Sequence, residues 1–187
     1  MSFTNAFSAY SDYNLSRGAI ACMSSNQKEQ SSSMFDGMRR LVSGVCVITA
    51  INRAGERFAM TASSVTSVSG EPPSLLVCVN RQARLDQAMN ESACFCVNLL
   101  SPKQRQISIN CSTPESGESR FEHGHWQIDT LTGLSFLADA QAVFWCKKQL
   151  TNAYGTHHIY IGDVQRTLVA PGDVNVLAYL NGQYLEL

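Results

Sequence analysis

The sequence predicts a mainly β domain with a few helices, its strands antiparallel and arranged as a barrel or a sandwich. Three observations predict this. Runs rich in apolar and β-branched residues recur at 45–51, 74–80, 93–100, 141–150, 157–168 and 175–180. Several are joined by turns too short for the crossover that parallel strands need. G-x-G-x-x-G, Walker and G-x-S-x-G signatures are missing, which disfavours a Rossmann nucleotide fold and an α/β-hydrolase.

The elements follow in order. Residues 1–33 are rich in Ser, Asn, Ala and Tyr without sustained periodicity, and read as a poorly ordered extension with a short helix over 7–15. A single domain occupies 34–187. Ser33-x-x-Asp36 resembles a capping box. Met34, Phe35, Met38, Leu41 and Val42 then fall on one helical face, which Gly44 ends. Strand 45–51 turns through Asn52-Arg53-Ala54-Gly55 into a second strand through Phe58. Residues 59–69 carry six hydroxyl side chains in eleven positions. They read either as an ordinary Ser/Thr-rich strand or as a lining that closes around a polar ligand. After a turn at 70–73, strand 74–80 leads to a helix carrying Leu85, Ala88 and Met89. Strand 93–100 precedes a strong helix start at Ser101-Pro102-Lys103-Gln104. Residues 111–120 read as loop, and three further strands close the chain.

Bulk properties bound the function. An apolar fraction of 44% supports a real core. A net charge of −1 with no block of like charges argues against nucleic acid as a partner. No apolar run reaches about 18 residues, and no basic region followed by an apolar core opens the chain. A cytoplasmic protein without a membrane partner is the expectation. The seven cysteines are odd in number and contain no C-x-x-C pair, which fits buried, reduced thiols. His123-x-His125 supplies two ligands without a third, so no metal site is expected.

Taken in order, several motifs resemble the short-chain flavin reductases, the small reductase components of two-component flavin monooxygenases. They are 43–49 (SGVCVIT), 60–69 (MTASSVTSVS), 72–80 (PPSLLVCVN), 95–100 (FCVNLL), Arg120-Phe121 and 155–164 (GTHHIYIGDV). The reductases of 4-hydroxyphenylacetate and phenol hydroxylases look most similar. The resemblance implies a Greek-key split β-barrel (the FMN-binding split barrel), working as a homodimer. It implies FMN or FAD as flavin, NADH or NADPH as reductant, and a partner monooxygenase.

The site residues implied are specific. Thr61, Ala62, Ser63, Ser64 and Val65 match the segment along the flavin ring and ribityl chain, continued by Ser67 and Val68. Relatives often carry Asn where Ser63 stands. Gln82, Ala83, Arg84 and Leu85 match the phosphate-side segment, where helix-terminal amides and a guanidinium favour an anion. Asn98 matches a position near the ring. His157 matches a histidine on the nicotinamide side. Leu180, Asn181, Gly182 and Gln183 match a segment that helps hold NADH, although relatives often have a basic residue at Gln183. His158 is assigned no role, and no protein acid or base is required for the hydride step. Two other readings compete: a non-catalytic flavin- or heme-binding split barrel, and a pyridoxamine-phosphate oxidase-like enzyme.

Overall fold

The computed structural model describes residues 33–113 and 117–186. The extension expected before Ser33, with its helix over 7–15, lies outside the described residues. In chain order the elements begin with α1 (Met34–Met38), β1 (Ser43–Gly44), β2 (Cys46–Ile51), β3 (Arg57–Ala62), β4 (Val65–Gly70) and β5 (Pro73–Asn80). Next come α2 (Arg84–Glu91), β6 (Cys94–Leu99), a 3-10 turn at Pro102–Gln104 and α3 (Arg105–Ser112). A second 3-10 turn at Glu118–Phe121 precedes β7 (Trp126–Ile128), β8 (Ser135–Leu137), β9 (Ala142–Tyr154), β10 (His157–Val169), β11 (Leu177–Leu180) and β12 (Gln183–Glu186).

Seven strands form one antiparallel sheet in the order β3-β2-β6-β9-β10-β5-β4. Its two edge strands, β3 and β4, are neighbours in sequence, joined only by Ser63 and Ser64. In a flat sheet six strand spacings would hold those edges roughly 29 Å apart. The three residue steps from Ala62 to Val65 reach about 11 Å at most. The sheet therefore rolls up, and the antiparallel split barrel that results carries its seam at the hydroxyl-rich stretch.

Both faces of the central strands are covered, which explains why β2 is buried almost from end to end, Thr49 included. Cys46, Ile48, Ala50, Val77, Val79, Phe95, Val97, Cys146 and Tyr160 fill the interior with Leu85, Ala88 and Met89 of α2. Val45, Val47, Cys96, Val143 and Trp145 point the other way, beneath α3, the β7–β8 hairpin and β11. The cysteines at 46, 96, 111 and 146 are buried free thiols, and Cys78 and Cys94 are half-buried ones. Burial pushes the thiols of Cys46, Cys111 and Cys146 up to about 12.

Some expectations need correction. The capping box at Ser33 and Asp36 forms, but α1 ends at Met38 and buries none of its residues. Met34, Met38, Leu41 and Val42 stay exposed, and Ser43–Gly44 is drawn into a ladder with Ala178 and Tyr179 of β11. The stretch expected as loop, 111–120, contains the end of α3 and part of a 3-10 turn. The β7–β8 hairpin, with three residues per strand, leaves too short a pattern to read.

Candidate functional site

The seam is built from small and hydroxylated residues. Thr61 Oγ1 donates to the Ser108 carbonyl of α3 at 2.6 Å. Ala62 is buried in the barrel interior. Ser64 Oγ donates to the Cys78 carbonyl at 2.9 Å and accepts the Cys78 N–H at 3.3 Å, which fastens the seam to β5. Ser63 and Val65 are half-buried, and Ser67 and Val68 are exposed beside a ladder irregularity. Thr61 and Ser64 therefore serve the framework, while Ser63 and Ser67 stand at the surface of the seam.

The turn after β5 lies next to it. Asn80 Oδ1 accepts the Gln82 N–H, and the Asn80 carbonyl accepts the Ala83 N–H, each at 2.9 Å. These bonds shape the entry to α2, whose N-cap residue Ala83 makes no side-chain cap. Ala83 and Leu85 pack into the interior beside Phe58, Met60 and Ala62. Arg84 is exposed, with its guanidinium carbon 5.8 Å from the Phe58 ring centroid. The segment 82–85 thus lies against β3 close to the seam.

Strand pairing brings His157 to the same end of the barrel. His157 faces Asn80 in register, and the Arg81 N–H donates to the Thr156 carbonyl at 3.0 Å. The imidazole is half-buried, with Nδ1 2.9 Å from Thr156 Oγ1. Burial holds its pKa below the ordinary 6.5, against an upward pull from the Asp86 charge.

Leu180 to Gln183 form a two-residue hairpin turn. Asn181 and Gly182 have φ of 49° and 80°, the left-handed pair that an Asn-Gly turn supplies. The turn connects to β3 through α3: Tyr184 Oη and Ser108 Oγ share a hydrogen bond of 2.9 Å, and the Ser108 carbonyl accepts from Thr61. Arg105 lies 5.1 Å over the Tyr184 ring. Thr61 to Val65, Gln82 to Leu85 and His157 are thus gathered at one end of the barrel, and 180–183 joins them across α3.

Asn98 stands deeper in the fold than the other residues matched to the flavin site. It is fully buried, its Nδ2 donates to the Val47 carbonyl at 3.0 Å, and its Oδ1 accepts the Leu137 N–H at 2.8 Å. Both ends of the amide are engaged by backbone, so Asn98 clamps β2 and the β7–β8 hairpin to β6. Asn98→Ala strands both backbone groups and is expected to cost about 2 kcal/mol, measured by urea unfolding. An unchanged midpoint would remove the clamp.

His123 and His125 do not converge. His123 lines a cleft of about 230 Å³ with Asn110, Thr113, Ser119, Arg120 and Glu122. His125 Nδ1 lies 3.3 Å from Asp139. Arg120, of the Arg120-Phe121 motif, is half-buried and donates to the carbonyls of Ala59 and Thr113.

Sequence reasoning missed one polar cluster altogether. Asp86, 3% exposed, accepts from His158 Nδ1 at 2.8 Å and from Tyr160 Oη at 2.7 Å. Seventy-two positions separate Asp86 from His158, and an acid in a helix's first turn is unremarkable by itself.

Comparison with known proteins extends the picture. Residues 38–187 match the family model of the flavin reductase like domain. The chain is 39% identical over 148 residues to the reductase component of an FADH(2)-dependent resorcinol hydroxylase from Rhizobium sp., spanning 79% of this chain and 82% of that protein. It is 33% identical over 168 residues to an FMN reductase (NADH) of Agrobacterium fabrum, spanning 89% and 95%. Among solved structures, an NADH:FAD oxidoreductase of Streptomyces globisporus, in complex with NAD and FAD fragments, superposes with a TM-score of 0.75 at 25% identity, covering 81% of this chain and 89% of that one. With a barrel seam of this make-up and a family match over most of its length, the chain belongs to the flavin reductase-like family.

Proposed function

We propose that this protein is an NAD(P)H:flavin oxidoreductase that reduces FMN or FAD and supplies the reduced flavin to a partner monooxygenase. The observation that carries the reading is the convergence at the seam. Small residues of 61–65, the uncapped start of α2 and His157 come together on one end of one barrel.

The residues present fit a flavin. Ala62, Ser63, Ser64 and Val65 leave room for backbone to approach a ring edge, and Ser67 and Val68 extend that contact. In the segment of Gln82, Ala83, Arg84 and Leu85, the first amides of α2 after Ala83 and the Arg84 guanidinium favour an anion. His157 orients the nicotinamide, and Leu180, Asn181, Gly182 and Gln183 border the reductant. Bound flavin supplies the chemistry by accepting a hydride at N5. The protein contributes placement, since holding two rings in near contact accounts for much of such a barrier.

The reductase domain spans 34–187 and works as a homodimer in the cytoplasm. Exposed Leu150, Tyr154, Leu168 and Val169 on the β9–β10 hairpin support burial against a second copy. No helix among the described residues is long and apolar enough to cross a membrane.

The test is NADH and NADPH oxidation with FMN, FAD and riboflavin as acceptors. The phosphate-bearing flavins should be preferred, and Arg84→Ala should weaken their binding about fivefold with riboflavin little affected. Protein that binds flavin but leaves NADH unoxidised would sink the enzyme reading and leave a binding protein.

A further inference from the structure

We propose that Asp86 and His158 are a positioning pair that sets the spacing between the flavin phosphate segment and the nicotinamide-side histidine. The inference rests on the site reading above and adds two residues with no ligand contact of their own.

The geometry is specific. Asp86 sits in the first turn of α2, directly after Arg84 and Leu85. Its side chain occupies the third helical position, where a carboxylate commonly turns back to cap the helix. Here it turns away, and the start of α2 is left without a side-chain cap. Its oxygens lie 2.8 and 3.0 Å from His158 Nδ1, and Oδ1 accepts from Tyr160 Oη at 2.7 Å. Asn90 Nδ2 adds a bond at 3.2 Å. Alternation along β10 places His158 and Tyr160 on one strand face and His157 on the other. The ring centroids of His158 and Tyr160 meet edge to face at 5.8 Å.

Each member of the pair is therefore one or two residues from a site segment. Asp86 follows Arg84 and Leu85, and His158 follows His157. At its far end α2 is held to β9 by Lys148 Nζ, which donates to the carbonyls of Met89 at 2.6 Å and Asn90 at 3.0 Å. With both ends tied, α2 cannot slide along the sheet without breaking these polar bonds, the buried Tyr160–Asp86 bond among them. A buried polar pair contributes little net stability compared with apolar packing of the same volume. What it adds is one register: apolar surfaces tolerate small slips, whereas a carboxylate between two directed donors does not. Misplacement of about 1 Å is enough to slow a two-ring reaction severely.

Four variants test this: His158→Ala, His158→Asn, Tyr160→Phe and His157→Ala. Each is assayed for flavin dissociation constant by fluorescence quenching, for kcat and KM with NADH, and for Tm. His158→Ala should raise the flavin dissociation constant about tenfold and lower kcat. His158→Asn, whose amide N–H reaches the place of Nδ1, should restore both to within about twofold. Tyr160→Phe should raise the flavin constant about threefold. His157→Ala should affect NADH kinetics and leave flavin binding intact.

Folded His158→Ala and Tyr160→Phe with wild-type flavin affinity and kcat, whatever their Tm, would overturn the proposal. So would His158→Asn behaving like the alanine variant. Should His158→Ala fail to fold, the flavin constants of His158→Asn and Tyr160→Phe decide alone. Wild-type protein that neither binds flavin nor oxidises NADH would refute the function itself, a result separate from any variant's behaviour.

Discussion

Replacing His157 with alanine is expected to lower kcat/KM for NADH about 30-fold, a loss of about 2 kcal/mol of transition-state stabilisation. The flavin dissociation constant should stay within about twofold. The asymmetry follows from where the side chain stands. His157 opens β10, opposite Asn80 and beside the turn into α2, but the flavin-binding bonds proposed for that turn come from 82–85 and the seam. Its imidazole is steadied at Nδ1 by Thr156. Removing it leaves the flavin cradle whole and loosens only the reductant. Steady-state rates with varied NADH at saturating flavin read the effect, and unchanged kinetics would retire the assignment.

The same residue has a pH signature with a definite sign. Burial lowers its pKa below 6.5, so the folded protein disfavours the imidazolium. A depressed value means the unfolded chain takes up the proton first as pH falls. The stability His157 contributes is therefore full above 6.5 and is lost as pH drops through the lower, folded value. Between about pH 7 and about pH 5, wild type should lose more Tm than His157→Ala. An equal loss would mean that the Asp86 charge offsets the burial.

Gly162→Val is expected to destabilise the domain by about 4 kcal/mol or more, out of a total on the order of 5–15. A Cβ at this position would stand 2.6 and 2.8 Å from two Phe95 ring carbons and 2.9 Å from the Cys146 Cβ. Phe95 is 1% exposed and fixed in the barrel interior, so its ring has nowhere to withdraw. The glycine also sits where the β9–β10 ladder shifts register. The Phe95 ring, reaching over from β6, packs directly on the β10 backbone there because position 162 carries no side chain. Gly162→Ala should cost about 2 kcal/mol. Adding Phe95→Leu to it should recover at least about 1 kcal/mol through coupling. A thermal melt of Gly162→Ala matching wild type would show that the contact yields freely.

Much of this was legible in the sequence, for reasons that differ by element. The central strands of the barrel announce themselves because both faces are buried, and largely apolar runs such as β2 and β6 survive any choice of register. The Ser33–Asp36 cap is local chemistry and forms as read. The length of α1 was not legible, because a helix persists only while its apolar face has a partner, and β1 pairs elsewhere. Asn98 shows the limit for single residues. A polar side chain in an apolar strand reads equally well as ligand contact or as clamp, and only the positions of Val47 and Leu137 decide. Motif order pointed to the seam and to His157 because those segments keep their residue types along the chain. Asp86 lies outside those motifs, and His158 and Tyr160 lie inside 155–164 with nothing in the sequence to say what they face.

The sequence by itself determined an antiparallel, mainly β chain with a hydroxyl-rich hinge between two strands, since periodicity, turn chemistry and loop length act over a few residues. Only the tertiary structure decided that this hinge is the barrel's seam, and that a helix acid 72 positions from a histidine meets it in the core. Pairing across the sheet brings distant residues together, and a buried carboxylate accepts whichever donors that pairing delivers.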